Sequence, residues 1–197
     1  MRLKDVRVGF ALTGSHCTLD EVMTQVKILV DEGAAVIPII SYEVDQTDTR
    51  FGPASRWKDM LTRITGQEII STMVGAEPVG PGKTIDVLVL APCSGNTLAK
   101  LANAITDTPV LMAAKAHLRN QRPVVLAVST NDGLSMNAKN LGLLLNAKNV
   151  YMVPFGQDSP EGKPNSLKSK MELILNTVVM ALQGKQLQPV IISYQPA

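Results

Sequence analysis

Residues Ile85 to Asn103 read IDVLVLAPCSGNTLAKLAN. From Asp86 to Ala91 there is no alternation of polar and apolar residues after the opening acid. Such a run suits a parallel strand covered on both faces. Pro92 is expected to stop it, since proline has no N–H for the ladder. Cys93-Ser94-Gly95-Asn96-Thr97 then forms a polar turn, and Leu98, Leu101 and Ala102 mark the apolar face of a helix. A strand, a small-residue turn and a helix N-terminus together make an anion site. The first helical amides lack internal partners, and the helix dipole favours negative charge there. Hydroxyls of Ser94 and Thr97 and the amide of Asn96 add neutral donors. A phosphate, or the polar edge of a ring, is expected on this turn.

The same pattern occurs upstream. Val6 to Leu12 reads as a strand, Thr13-Gly14-Ser15 as its turn, and Thr18 to Asp31 as a helix with Val22, Val26, Leu29 and Val30 on its apolar stripe. Gly33 is placed to end that helix. Gly14 lets a ligand approach the backbone and Ser15 can donate to a phosphate, although Thr-Gly-Ser alone reads first as a simple tight turn. Only Gly9 and Gly14 are present, so the dinucleotide fingerprint GxGxxG is absent. Ala35 to Ile40 is a second strand. Its end, Ser41, is either a third contact to the same anion or a loop serine.

Further along, Pro53 to Ile64 reads as a helix with Trp57, Leu61 and Ile64 on one side. Glu68 to Val74 is expected to continue as a second helical piece. Gly82-Lys83-Thr84 imitates the end of a phosphate-binding P-loop, but Glu77 stands where its first glycine belongs and the segment leads into a strand. A Walker site is therefore excluded. Thr108-Pro109 reads as N-cap and first residue of a helix to about Leu118. His117, near its end, reads as a cation at a helix C-terminus. Pro123 opens a strand, Val124 to Val128, that ends in a third polar switch, Ser129-Thr130-Asn131-Asp132-Gly133. A short helix over Ala138 to Asn146 precedes a small strand, Val150 to Val153. Pro154 to Ser166 reads as a loop or lid. Asn165 or Ser166 is expected to cap a last helix running to about Gln183, with Leu167, Met171, Ile174, Leu175 and Val178 buried. The tail, 184–197, is apolar at Val190 to Ile192 and suited to docking on a neighbour.

The 197 residues suit a single domain, with an ordinary apolar fraction of 45%. Nineteen basic against 17 acidic residues give a net charge of +2 with no basic stripe, which argues against nucleic acid. The two cysteines, Cys17 and Cys93, have no metal-ligand spacing and read as free thiols, so no metal is expected. The N-terminal apolar run is too short for an export signal, and Arg7 breaks it. No segment approaches a membrane span. A cytoplasmic protein is expected. Strands alternating with helices predict one α/β domain of doubly wound, Rossmann- or flavodoxin-like type, with a mostly parallel sheet and helices on both faces. The polar turns should meet at the carboxyl edge of that sheet. Their hydroxyls, amides and glycines, with no Mg²⁺ carboxylate cluster, suit one phosphate monoester plus a flat heterocycle, such as FMN, better than ATP.

The strand ending in Thr13-Gly14-Ser15, the stretch AP-x-S-x-NT-x-AK-x-AN and the third polar switch resemble the homo-oligomeric flavin-containing cysteine decarboxylase superfamily, across nearly the whole chain. The turn Pro92 to Thr97 resembles its PASANT motif, with Cys93 and Gly95 in place of two alanines. The runs AKAHLRNQRPVVLAVSTNDGLS and AKNLGLLLNAKNVYMVPFGQDSP are similar to one branch of it. That branch supplies the flavoprotein-like B subunits of a synthase in spore-forming bacteria.

The resemblance implies FMN held by Thr13, Gly14, Ser15, Ser41, Pro92, Cys93, Ser94, Asn96, Thr97 and Ser129. Asn131 and Asp132 would face ring or substrate. His16 is a candidate proton carrier, with unperturbed pKa ~6.5, or a structural histidine at a helix start. Cys93 is a contact to the flavin or a small buried thiol. The branch implies oxidation of a dihydrodipicolinate precursor to dipicolinate in the mother cell, a partner A subunit that binds NAD(P), and a trimer or dodecamer. Two departures are present. The superfamily's active-site histidine has no counterpart in Phe51 to Met73, and its PAMN motif is replaced by Ser129, Thr130, Asn131 and Asp132. A retained flavin side with a rebuilt substrate side follows. So do the alternatives of a non-catalytic partner of the A subunit and a decarboxylase of unusual subtype. A dicarboxylate calls for cations, for which Arg50, Lys115, Arg119 and Arg122 are candidates.

Overall fold

The computed structural model describes residues 1–194; the last three residues of the tail lie outside the described residues. Four long strands, β1 (Arg7–Leu12), β2 (Ala35–Ile40), β3 (Val87–Cys93) and β4 (Val124–Thr130), carry the sheet. Three short ones complete it: β5 (Val150–Met152), β6 (Phe155–Gly156) and β7 (Leu167–Ser169). The order is β2-β1-β3-β4-β7-β6, with β5 also on β4. Pairs among β1 to β5 are parallel, and β7 runs antiparallel to β4 and β6. This is the doubly wound α/β fold that the alternation of strands and helices predicts.

Period-two alternation along buried strands separates two cores. Val87, Val89 and Ala91 of β3 face one core, built with α1 (Leu19–Asp31), α3 (Ala54–Thr65) and α8 (Ile174–Leu182). Leu88 and Leu90 face the other, with α5 (Gly95–Ala102), α6 (Pro109–Arg119) and α7 (Ala138–Leu145). Two short helices, α2 (Tyr42–Gln46) and α4 (Met73–Ala76), fill connections. Gly33, at φ +93°, follows the end of α1 as expected. Thr108 caps α6 by accepting from the Leu111 amide at 3.2 Å. No helix of the described residues is long and apolar enough to cross a membrane.

Five expectations fail. β3 runs through Pro92 to Cys93: the β4 register shifts between Leu90 and Cys93, so the missing N–H falls in a ladder irregularity. Glu68 to Val74 is not helical until Met73. Instead the Ile70 amide donates to Pro38 O, and the Ile40 amide to Ile70 O, both at 2.9 Å, which occupies the free edge of β2. Leu167 does not begin a helix. Leu167 and Ser169 point inward around Lys168 as strand β7, followed by a short turn of helix and α8. β7 pairs with Ser129 and Thr130, making these strand residues of β4 instead of a switch loop. Finally, His117 is fully buried, not a solvated helix-end cation. Burial above all, with Arg122 nearby, pushes its pKa down to about 4, and backbone groups of Pro123 and Asp86 oppose this only in part. The tail docks within the chain. The Phe155 amide donates to Val190 O and the Ile192 amide to Phe155 O.

Candidate functional site

The chain leaves β1 for α1 on one face of the sheet and β3 for α5 on the other. Open α/β sheets bind ligands at such a reversal, outside the strands' carboxyl ends. A crevice of about 1000 Å³ lies there. Gly14 and Ser15 after β1, Gly95 and Asn96 opening α5, and Ser129 and Thr130 ending β4 form its floor. Thr49, Arg50 and Phe51 form one wall, and Asp158, Lys163, Ser166, Leu167 and Lys168 the other.

Beneath the floor, hydroxyls fasten the strand ends to one another. Thr13 Oγ1 donates to Pro92 O at 2.6 Å and accepts from the Ser94 amide at 2.9 Å. Ser94 caps α5 by accepting from the Thr97 amide at 3.3 Å, and donates to Thr97 Oγ1 at 3.1 Å. Ser15 Oγ donates to Ser129 O at 2.6 Å, and Ser129 Oγ shares a hydrogen bond with Thr18 Oγ1 at 2.9 Å. The crevice surface therefore includes Gly14, Ser15, His16, Asn96, Ser129, Asn131 and Asp132, while Thr13, Pro92, Ser94 and Thr97 form the frame below it. The side-chain amides of Asn96 and Asn131 have no hydrogen-bond partner among the described residues and are exposed. Cys93 is fully buried among the α5 and α6 side chains, and burial pushes its thiol up to about 12, so it stays protonated. Ser41 is 2% exposed and lies off the crevice wall, with Oγ unpartnered.

His16 lines the crevice. Its Nδ1 is buried without a partner, so the structural hydrogen bond considered for it is absent among the described residues. Burial lowers its pKa and the Glu43 carboxylate opposes that, leaving a neutral imidazole at pH 7. Asp132 is the opposite case. Burial disfavours its charge, but Thr130 Oγ1 donates to Oδ1 and Asn137 Nδ2 to Oδ2 at 2.8 Å, which together hold its carboxyl below the ordinary range. Asn137 in turn accepts from Asn140 Nδ2 at 2.8 Å. Asp132 is thus an ionised anchor for the turn after β4. Gly95 makes room for it: a Cβ there would collide with Thr130 Oγ1 and meet Asp132 Oδ1 at 2.6 Å. Space, not a turn conformation, accounts for glycine at this position.

Of the candidate cations, only Arg50 reaches the crevice. Lys115 is exposed on α6. Arg122 lies at the amino edge of the sheet, where Nη1 donates to Ile85 O and stands 3.3 Å from Asp86, and Arg119 packs beside Gly80. Two lysines that sequence patterns did not single out, Lys163 and Lys168, line the far wall. Their only signal was membership of the segment that reads as a lid and a final helix. Among the described residues no cluster of three His, Cys, Asp or Glu is arranged to hold a metal.

The Flavoprotein family model matches residues 1–179. The chain is 51% identical over 194 residues to the B subunit of dipicolinate synthase of Bacillus subtilis (strain 168), covering 98% of this chain and 97% of that protein. It superposes with TM-score 0.91 on the crystal structure of the dipicolinate synthase B subunit from Bacillus halodurans C, at 50% identity and 98% and 99% coverage. The FMN-dependent cysteine decarboxylase SpaF shares the fold, with TM-score 0.68 at 17% identity over 92% of this chain and 99% of that one.

Proposed function

We propose that this chain, which belongs to the Flavoprotein family, is the flavin-binding B subunit of a dipicolinate synthase. In this reading it works with an A subunit that carries NAD(P), in the mother-cell cytoplasm of a sporulating bacterium. Together they oxidise a dihydrodipicolinate precursor to dipicolinate. The observation that carries the flavin assignment is the neutral donor floor at the point where the crossovers reverse. It combines unengaged amides at Asn96 and Asn131 with an orphaned nitrogen, Nδ1 of His16. This donor set fits one phosphate and a heteroaromatic edge, so the residues present fit FMN. Identity of 51% to a B subunit of known name supports the substrate assignment.

Ser15, Asn96 and the Gly14 backbone would hold the cofactor, while Ser41 stands outside the crevice. Thr13, Pro92, Ser94, Thr97 and Ser129 would keep those groups in place, and Cys93 would back the turn as a neutral thiol. When bound, the flavin supplies a two-electron acceptor. The oxidation also releases protons, and neutral His16 offers a nitrogen to receive one. Asp132 would keep Asn131 facing the crevice.

An absorbance spectrum of the purified chain, before and after FMN addition and desalting, tests this. A retained flavin band is expected. Ser15→Ala and Asn96→Ala should each weaken FMN binding about 5-fold, the loss of one neutral hydrogen bond. Unchanged affinity in both would remove the residue assignment. A second reading, a non-catalytic partner that stabilises the A subunit, draws on the commitment of both Asp132 oxygens and on the lack of a histidine in Phe51 to Met73. No flavin binding, with full activity on mixing the two chains, would favour it.

A further inference from the structure

Three cations and two acids line the crevice: Arg50, Lys163 and Lys168 against Asp132 and Asp158. The acids are satisfied by neutral donors, Asp132 as described and Asp158 by Ser166 Oγ at 2.5 Å. Lys168 is neutralised by Glu21 at 2.6 Å. Arg50 and Lys163 have no ion-pair partner among the described residues. Neutral donors leave both carboxylates charged, so what the walls offer is local: one cation without an acid partner on each side of the cleft, each able to contact an anion.

Their placement is set by the fold. Arg50 follows β2, at one end of the strand order, and Lys163 lies between β6 and β7, at the other. They therefore face each other across the ends of β1, β3 and β4. Each stands on a loop braced by its own hydrogen bonds. Around Arg50, Thr49 and Gly52 exchange backbone bonds at 3.1 and 3.0 Å, and the guanidinium lies 4.8 Å from the Phe51 ring centroid. Around Lys163, its amide donates to Ser159 O at 2.7 Å, the Ser166 amide to Lys163 O at 3.0 Å, and Gln157 Nε2 to Pro164 O at 2.9 Å.

We propose that Arg50 and Lys163 form a clamp that selects a small dicarboxylate, one carboxylate on each wall, with the body of the acid over the floor between them. This rests on the reading of the chain as part of an enzyme acting on a dihydrodipicolinate, and adds which residues distinguish two carboxylates from one. The shared chemistry is a dianion, so the FMN phosphate is the competing source.

Isothermal titration of the full chain with pyridine-2,6-dicarboxylate, pyridine-2-carboxylate and FMN separates them. The wild-type chain should prefer the dicarboxylate to the monocarboxylate roughly 10-fold. Arg50→Gln and Lys163→Gln should each weaken dicarboxylate binding roughly 5- to 10-fold, in the range of a hydrogen bond to a charged group at a partly open site. The double variant should lose the preference, and Arg50→Lys with Lys163→Arg should regain it. FMN affinity and the thermal midpoint should stay unchanged throughout. A preference that survives in the double variant, or no dicarboxylate binding by the wild-type chain, overturns the clamp. Loss of FMN affinity in place of dicarboxylate affinity also overturns it, by assigning the cations to the cofactor phosphate. If FMN binds no version of the chain while the dicarboxylate preference and its loss persist, the flavin reading falls and the clamp stands.

Discussion

His117 and Gly95 are each governed by neighbours far away in sequence. Both ring nitrogens of His117 are buried without a hydrogen-bond partner among the described residues. With a folded pKa of about 4 against an ordinary 6.5, the unfolded chain binds the extra proton between those values. Stability is therefore complete above pH 6.5 and falls as pH drops toward 4, by about 1–2 kcal/mol between pH 7 and pH 5. His117→Leu should flatten this slope and be at least as stable at pH 7, since it removes two orphaned polar atoms. Urea denaturation at the two pH values checks it; an unchanged slope would place the titration on another group. The sequence offered a histidine near basic residues at a helix end, and only the packing of α6 reveals it as neutral core. Gly95 behaves likewise. Ser94 and Thr97 were legible as a cap because their spacing is local, whereas the crowding at Gly95 comes from Thr130 and Asp132 on another strand and the turn after it.

At the scale of elements, the long strands and the first crossover helix were readable because their burial patterns are uniform or sharply periodic. Errors fell where one residue type serves two roles. Pro92 usually ends a strand, yet here a shift in register accommodates it. Leu167 and Met171 suggested a helical face. Both are buried, Leu167 through the inward side of β7 and Met171 through the turn that follows. Period-two and period-four patterns cannot be told apart over so few residues. The tail beside β6 shows how tightly these additions are fitted. A Cβ on Gly156 would collide with Ile192 O. Gly156→Ala should push the segment after Gly184 off β6, at a cost of about 1–3 kcal/mol. Limited proteolysis should then cut that segment faster while the sheet core stays resistant. Unchanged cleavage would mean that the backbone absorbs the methyl group.

For the molecule as a whole, alternating strands and helices were enough to give the sheet, its two cores and the edge where the polar turns meet. They did not give the charged walls. Lys163 and Arg50 reach the crevice through loops whose course depends on the edge strands, and no local pattern encodes that course. Assembly is a property of this scale too. A homo-oligomer is proposed from the flavoprotein resemblance, and Met136 and Leu143, 74% and 57% exposed, are apolar side chains that assembly would cover. Light scattering at micromolar concentration should report a trimer or larger; a monomer would count against it. The fastening of Thr13 to Pro92 and Ser94 has a consequence for how such proteins diverge. The floor is locked by bonds among β1, β3 and the start of α5, and the walls are loops braced within themselves. Exchanges around 49–52 leave the floor untouched, whereas the 157–166 loop is tied to the turn after β4 by the Leu134 amide, which donates to Asn165 O at 3.0 Å. A lineage with this architecture can trade one acid substrate for another by rewriting a few residues around 49–52, while the sheet beneath is inherited unchanged.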